Sequence, residues 1–407
     1  MSASTAADDP SRAPAAPRFP RLVGTRTITV VVLLVGLELC LRHFAGLGWW
    51  TVNERNERYG WSMLPSQEAR SRDLSVAEHI NAMGFRDREW PAPASDGHGG
   101  WAKDESLFRV AVVGNSMTFG TSVPEADVYT RVLEQRLAGR LAQSGSPRRA
   151  MVMNFAVQGY GFEQMARVYE DRIRPYRPDV LVVALHPHDV LPMAPSVDDP
   201  DYDLRRWVMR TATYDLLLKH VIDRWIPPPP PSREARRAAQ EWAALDASLT
   251  EAPFSPDNRR WFSLAGERMD VVRAQVEHDG GRLAIVLMPR WLKYFNAKMA
   301  PHDTFWGAWI RERQPSVLKV GLEPEFEQLM QPVIAELRAK GLAEGTTHDL
   351  STLRWKDEQG REHPGTELQA ASLSLNLLND LGHLTARGHG VVAEDLARAI
   401  ADAGLLK

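Results

Sequence analysis

From Phe108 onward the chain alternates short, wholly apolar runs with stretches that carry apolar residues at helical spacing. Phe108 to Val113 is a β-branched run stopped by Gly114. Met151 to Val157 is a second, ending at Gly159. Val180 to Leu185 is a third, and Arg282 to Met288 a fourth, stopped by Pro289. Runs apolar at nearly every position, rather than at every other one, belong to strands buried on both faces. Between them Val128, Val132, Leu133, Leu137 and Leu141 follow helical spacing, Phe162 to Ile173 reads as an amphipathic helix, and Glu327 to Leu342 as another. The last helix is expected over about 386–403, with Val391, Val392, Leu396 and Ile400 on one face. Strands alternating with helices predict an α/β fold, a parallel sheet covered on both sides. In such sheets, sites form at the carboxyl ends of the strands.

The N-terminal pattern differs. Residues 1–25 are rich in Ala, Pro and Ser and are expected to be a disordered cytoplasmic tail. Ile28 to Leu37 is almost continuously apolar, and residues 26–50 together reach the ~20 residues that span a bilayer. Glu38 and Arg42 interrupt this run four residues apart, where a helix lets them pair. Trp49 and Trp50 sit where an aromatic belt would lie. Arg12, Arg18, Arg21 and Arg26 precede the run and favour a single-pass orientation with the bulk of the chain outside the cytoplasmic membrane. A cleaved signal peptide is the alternative, although His43 to Gly48 offers a poor cleavage site.

Residues 51–107 form a pre-domain segment ending in a Pro/Ala/Gly-rich linker, and residues 108–407 form the main domain. The stretch of about 192–279 fits the alternation poorly. It holds a helical piece from Trp207 to Trp225, five prolines at 227–231 that make a stiff spacer, and a charged helix from Ser232 to Leu249. It reads as an insertion or cap. A net charge of -3 gives no basis for a nucleic-acid partner. Cys40 is the only cysteine, which excludes disulfides within the chain and cysteine-based metal sites.

Ser116 sits in a Gly-rich turn after the first strand, and Asp380 and His383 lie three residues apart before the last helix. A serine hydroxyl is a weak nucleophile unless a general base lies within hydrogen-bond reach, and the base needs an orienting partner. Ser116, His383 and Asp380 have the residue types for these roles. The turns at Ser116 and Gly159 can each aim a backbone N–H at a developing oxyanion. Taken singly these residues have bland uses: Ser116 as a turn residue, His383 and Asp380 as capping residues. His186 and His188 alternate beside Asp189, but no further ligand lies near them and no metal is expected. His389 and Glu394 are read as solvated or packing residues. Trp291, Trp306 and Trp309 are read as packing rather than as a saccharide groove.

Together these stretches resemble the SGNH (GDSL-type) hydrolases, and more narrowly their membrane-anchored bacterial members. Gly114-Asn115-Ser116 is similar to the family's first block, normally Gly-Asp-Ser. Asn154 to Gly161 is similar to the second, with Gly159 as the oxyanion glycine. Pro187-His188-Asp189 falls where the third block has Asn-Asp. Asp380-Leu381-Gly382-His383 is similar to Asp-x-x-His, and Asn81 to Asp87 resembles a segment that precedes the core in the anchored proteins. The resemblance implies a flavodoxin-like three-layer α/β/α sandwich, no cofactor or metal, and ester cleavage or acyl transfer through an acyl-serine. It implies Ser116, His383 and Asp380 as catalytic residues, and Ser116, Gly159 and His188 as the oxyanion hole. The expected substrate is an acylated small molecule or saccharide, with acetyl groups of cell-surface polysaccharide first. Asn115 for Asp and His188 for Asn depart from the pattern. The alternatives are an O-acyltransferase using the same triad, and a catalytically impaired binding or assembly protein with the same fold.

Overall fold

The computed structural model describes residues 25–45, 53–71, 76–98, 100–191, 211–216, 256–288, 301–322, 354–356, 362–364 and 383–406, with single positions 328, 335 and 339. The N-terminal apolar run is one helix, α1 (Thr25–Ala45). Its apolar side chains from Ile28 to Leu37 are exposed, and Thr27–Phe44 is long and apolar enough to cross a membrane. A signal sequence near an N-terminus can meet the same requirement.

Two antiparallel hairpins follow. The first pairs β1 (Asn53–Asn56) with β2 (Gly60–Met63), and the second β3 (Gln67–Arg70) with β4 (Ala77–Ile80). The main sheet begins with β5 (Leu107–Val113), the four-residue helix α2 (Ser116–Phe119) and α3 (Tyr129–Gln143). Then come β6 (Arg149–Asn154), α4 (Phe162–Val168) continuing into a π-helical turn, and β7 (Val180–Leu185). The remaining described elements are α5 (Ala212–Leu216), α6 (Pro256–His278), β8 (Arg282–Leu287), α7 (Pro301–Glu312), β9 (Val317–Val320), the hairpin β10 (Arg354–Lys356) and β11 (Glu362–Pro364), and α8 (Ala386–Asp402).

The expected parallel sheet is present, five-stranded with order β6-β5-β7-β8-β9 and every pairing parallel. Period-2 geometry splits its strands between two cores. Ala111, Val113, Met153, Leu181, Val183 and Ile285 face α4, α6 and α7. Val110, Val112, Val152, Val182, Ala284 and Val286 face α3 and α8, through Leu133, Leu137, Val392, Leu396 and Ile400. This is the three-layer α/β/α sandwich. β9 was not foreseen: it is four residues long and carries Lys319.

Within the stretch expected as an insertion over about 192–279, residues 192–210 and 217–255 lie outside the described residues. Residues 256–278 are α6, whose Phe262, Met269, Val272 and Val276 are buried against the sheet. The charged face made by Arg259, Arg260, Glu267 and Arg273 hid this stripe. The helices expected over 232–249 and 327–342 lie outside the described residues, apart from positions 328, 335 and 339. Trp306 and Trp309 are core residues, 0% and 5% exposed, while Trp291 lies outside the described residues.

The pre-domain segment is built into the core. Tyr59, Trp61, Met63, Ile80 and Phe85 join the α4 side of the sheet. Arg58 pairs with Asp171, and Tyr59 Oη donates to the same carboxylate at 2.9 Å. At the other end, Glu38 of α1 pairs with Arg42 at 2.7 Å and accepts from Ala212 N (2.7 Å), Thr213 N (2.9 Å) and Thr213 Oγ1 (2.9 Å) at the start of α5.

Candidate active site

The strand order reverses at β5: the chain leaves it for β6 on one side, then returns to place β7 on the other. In an open α/β sheet, the crevice for a ligand opens at this switch point, beyond the carboxyl ends of the strands. The residues that follow β5, β6 and β7 therefore converge there.

After β5 the chain turns sharply at Gly114, where a Cβ would collide with the Thr118 side chain and lie 3.3 Å from Ala184 Cβ. Asn115 takes an extended conformation and caps α2, its Oδ1 accepting from Met117 N at 3.0 Å. Ser116 is thus the first helical residue and half-buried. The helix stops after one turn at Gly120, in the left-handed conformation at φ 81°.

His383 arrives from the other end of the chain. Thr385 caps α8 by accepting from Gly388 N at 3.2 Å, and His383 stands two residues before that cap. Its Nε2 lies 2.8 Å from Ser116 Oγ. A serine and a histidine 267 positions apart are therefore within proton-transfer distance. Asp380 lies outside the described residues, as does the side chain of His188, whose backbone belongs to the 3₁₀ turn Pro187–Val190. Gly159 follows β6 at φ 78°, a conformation that suits glycine, and is exposed.

Asn115 proves to be part of a buried network. Its Nδ2 donates to Asp189 Oδ1 at 2.9 Å, and Asp189 Oδ2 accepts from His186 N at 2.6 Å. Asn115 and Asp189 are 4% and 1% exposed. An amide at 115 can donate where a carboxylate cannot. Asn115→Asp would set a second carboxylate against Asp189, and like charges raise the pKa of one of the pair. That carboxyl can take a proton only as the pH falls, so the defect is largest at high pH. The expected loss is about 2–4 kcal/mol near pH 8, shrinking toward pH 5, read from denaturant unfolding. Equal losses at both pH values would refute the pairing.

The turn that carries Ser116 is held from below by residues that sequence reading left without a role. Arg86, 2% exposed, donates to the carbonyls of Phe119, Gly120 and Val123 around the end of α2. Asn154 Nδ2 donates to Thr118 O at 3.1 Å. Asp87 accepts from Asn154 N at 2.9 Å and pairs with Arg131. The stretch from Asn81 to Asp87 is therefore a brace under the site.

His389, left open between a solvated and a packing residue, is buried. Its Nδ1 accepts from Tyr129 N at 3.1 Å, and its ring stacks on Tyr129 with centroids 5.6 Å apart. Accepting at Nδ1 leaves the proton of the neutral ring on Nε2. Burial, with the nearby positive charge of Arg86, lowers its pKa to about 3. The folded value lies below the unfolded one, so the stability this ring contributes is complete above about pH 6.5 and lost as the pH falls toward 3. Between about pH 7 and pH 4 wild type should lose ~3 kcal/mol more than His389→Gln, which can still accept the Tyr129 bond. Parallel pH curves from denaturant melts would refute this.

No protein-family model matches the chain, and no curated protein matches it in sequence. Among solved structures it is similar to LAE5, an α/β hydrolase enzyme from the metagenome of Lake Arreo, at 13% identity over 74% of this chain and 96% of that one, with a TM-score of 0.36. A mutant of Axe2, an acetyl-xylooligosaccharide esterase from Geobacillus, also shares 13% identity over 74% and 96% of the two chains, at a TM-score of 0.36. A protein of Desulfitobacterium hafniense DCB-2, described as lipolytic and of the G-D-S-L family, shares 9% identity over 72% and 99%, at 0.33.

Proposed function

We propose that this chain is a serine esterase working through an acyl-serine intermediate. The observation that carries the reading is the 2.8 Å approach of His383 Nε2 to Ser116 Oγ at the switch point of a parallel sheet. Ser116 Oγ attacks the acyl carbonyl while His383 Nε2 takes its proton. The N–H groups of Ser116 and Gly159, with His188, receive the charge on the tetrahedral oxygen. His383 returns the proton to the departing alcohol. Water then attacks the acyl-serine, losing a proton to His383, and His383 passes that proton to Ser116 Oγ as the acyl–oxygen bond breaks and the acid leaves. Asp380 holds the imidazole in the tautomer this requires.

The proposed substrate is an acyl ester on a cell-surface saccharide, with acetyl first, met outside the cytoplasmic membrane by a domain anchored through α1. The resemblance of the sequence blocks and the run of arginines before α1 support this assignment. The Asn115–Asp189 bond weighs against an impaired site at the first of the two departures, because Asn115 is hydrogen-bonded into the loop through both Nδ2 and Oδ1. The test is to incubate the detergent-solubilised full chain with a fluorophosphonate probe and with p-nitrophenyl acetate. Labelling and turnover support the esterase; a folded wild type that does neither overturns it.

A further inference from the structure

The oxyanion donor proposed at position 159 belongs to the peptide unit joining Gln158 to Gly159. A trans peptide is planar, so its C=O and N–H point in opposite directions, and fixing one aims the other. The carbonyl of this unit has a side-chain donor: Trp61 Nε1 donates to Gln158 O at 3.2 Å. Trp61 belongs to β2, far from the sheet in sequence.

Three further contacts show that the indole is held for this task. Trp61 is 6% exposed. Its own carbonyl accepts from Tyr160 Oη at 2.6 Å, and its ring meets Tyr160 edge-on with centroids 5.5 Å apart. On the glycine side, Trp61 Cζ2 would lie 3.2 Å from a Cβ built on Gly159. A glycine at φ 78° can leave that conformation at little cost, so its peptide needs an external restraint. The ring supplies a wall on one side and the indole N–H a bond behind.

We propose that Trp61 is a positioning residue for catalysis, orienting and polarising the Gln158–Gly159 peptide so that its N–H meets the oxyanion. A carbonyl that accepts a bond leaves its amide a stronger donor, by about 10–30% per bond in chained networks. The second proposed donor, Ser116 N–H, is backed in the same manner: Asn115 O accepts from Thr118 N at 3.1 Å and Phe119 N at 2.9 Å. Both peptides are thus bonded from behind, one by its own helix turn and the other by the N-terminal hairpin.

This inference rests on the Ser116 reading, and its test separates the two. Trp61→Phe keeps a ring but removes the N–H; Trp61→Ala removes both. Full removal of an oxyanion donor costs ~10²–10³ in rate, so weakening one should lower kcat about tenfold in Trp61→Phe, with KM within about twofold of wild type. Trp61→Ala should fall further. Trp101→Phe, at an exposed tryptophan, should match wild type. Amide exchange of the 155–161 peptide, followed by mass spectrometry, should quicken in both Trp61 variants. Wild-type kcat in Trp61→Phe overturns the proposal, even where Trp61→Ala is slow, because the ring would then serve packing alone. Unchanged exchange over 155–161 overturns it as well, and does so without reference to turnover. If wild type itself takes neither probe nor ester, the esterase reading falls and this inference with it.

Discussion

Ser116→Ala should abolish fluorophosphonate labelling and lower ester turnover by roughly 10⁴- to 10⁶-fold, while the thermal midpoint stays near wild type. The size follows from the division of labour. Without Oγ there is no acyl-enzyme, and what remains is water attack assisted by the oxyanion donors. Stability should hold because Ser116 Oγ is bonded to His383 at a half-buried surface rather than in the core, and α2 is capped by Asn115 whatever residue follows. His383→Ala should cost a similar factor. The double variant should be little worse than either, since residues that act as a unit lose their whole effect once. Multiplicative losses would mean that the two side chains serve separate steps. Retained labelling in Ser116→Ala would assign the nucleophile elsewhere.

Arg86→Met should be strongly destabilising. The guanidinium is 2% exposed, lies over the Phe119 ring at 5.1 Å, and bonds the carbonyls of Phe119, Gly120, Val123 and Ala77. Methionine restores most of the volume but leaves those carbonyls without their donor, and each buried unpaired group costs ~1–3 kcal/mol. Partial rescue by neighbouring N–H groups brings the expected total to about 3–5 kcal/mol. The melting midpoint of the solubilised chain should fall by roughly 10 °C. Because the same carbonyls close the turn behind Ser116, kcat should fall even at temperatures where the variant is folded. A midpoint within about 2 °C of wild type would remove Arg86 from this role.

The sheet was legible because strands buried on both faces need apolar residues at every position, a pattern no solvated element can share. β9 was missed because an edge strand of four residues with a lysine in it carries too little of that pattern. α6 was missed for the opposite reason: its apolar stripe is intact, but its arginines and glutamates match the charged stretch before it. At the candidate site, the meeting of Ser116 and His383 was readable from residue type and place, since proton-transfer chemistry restricts which side chains are paired. Trp61, Arg86 and Asp189 act by hydrogen-bonding backbone or by joining distant loops. Such duties leave no local spacing to read, because the partners of Arg86 lie 9 to 37 positions away and the Gln158 carbonyl lies 97 from Trp61.

The bond between Glu38 and the start of α5 has a mechanical consequence. A body joined to a helix by the chain alone can swivel about it. A second attachment point removes that freedom for the segment it holds, here α5, and sets the azimuth of that segment around the helix axis. Successive residues of a helix are turned by about 100°, so moving the carboxylate by one position would carry it off the face that meets Ala212 and Thr213. α1 thus defines a heading for α5: the segment that starts at Ala212 is held on the one face of α1 that carries Glu38.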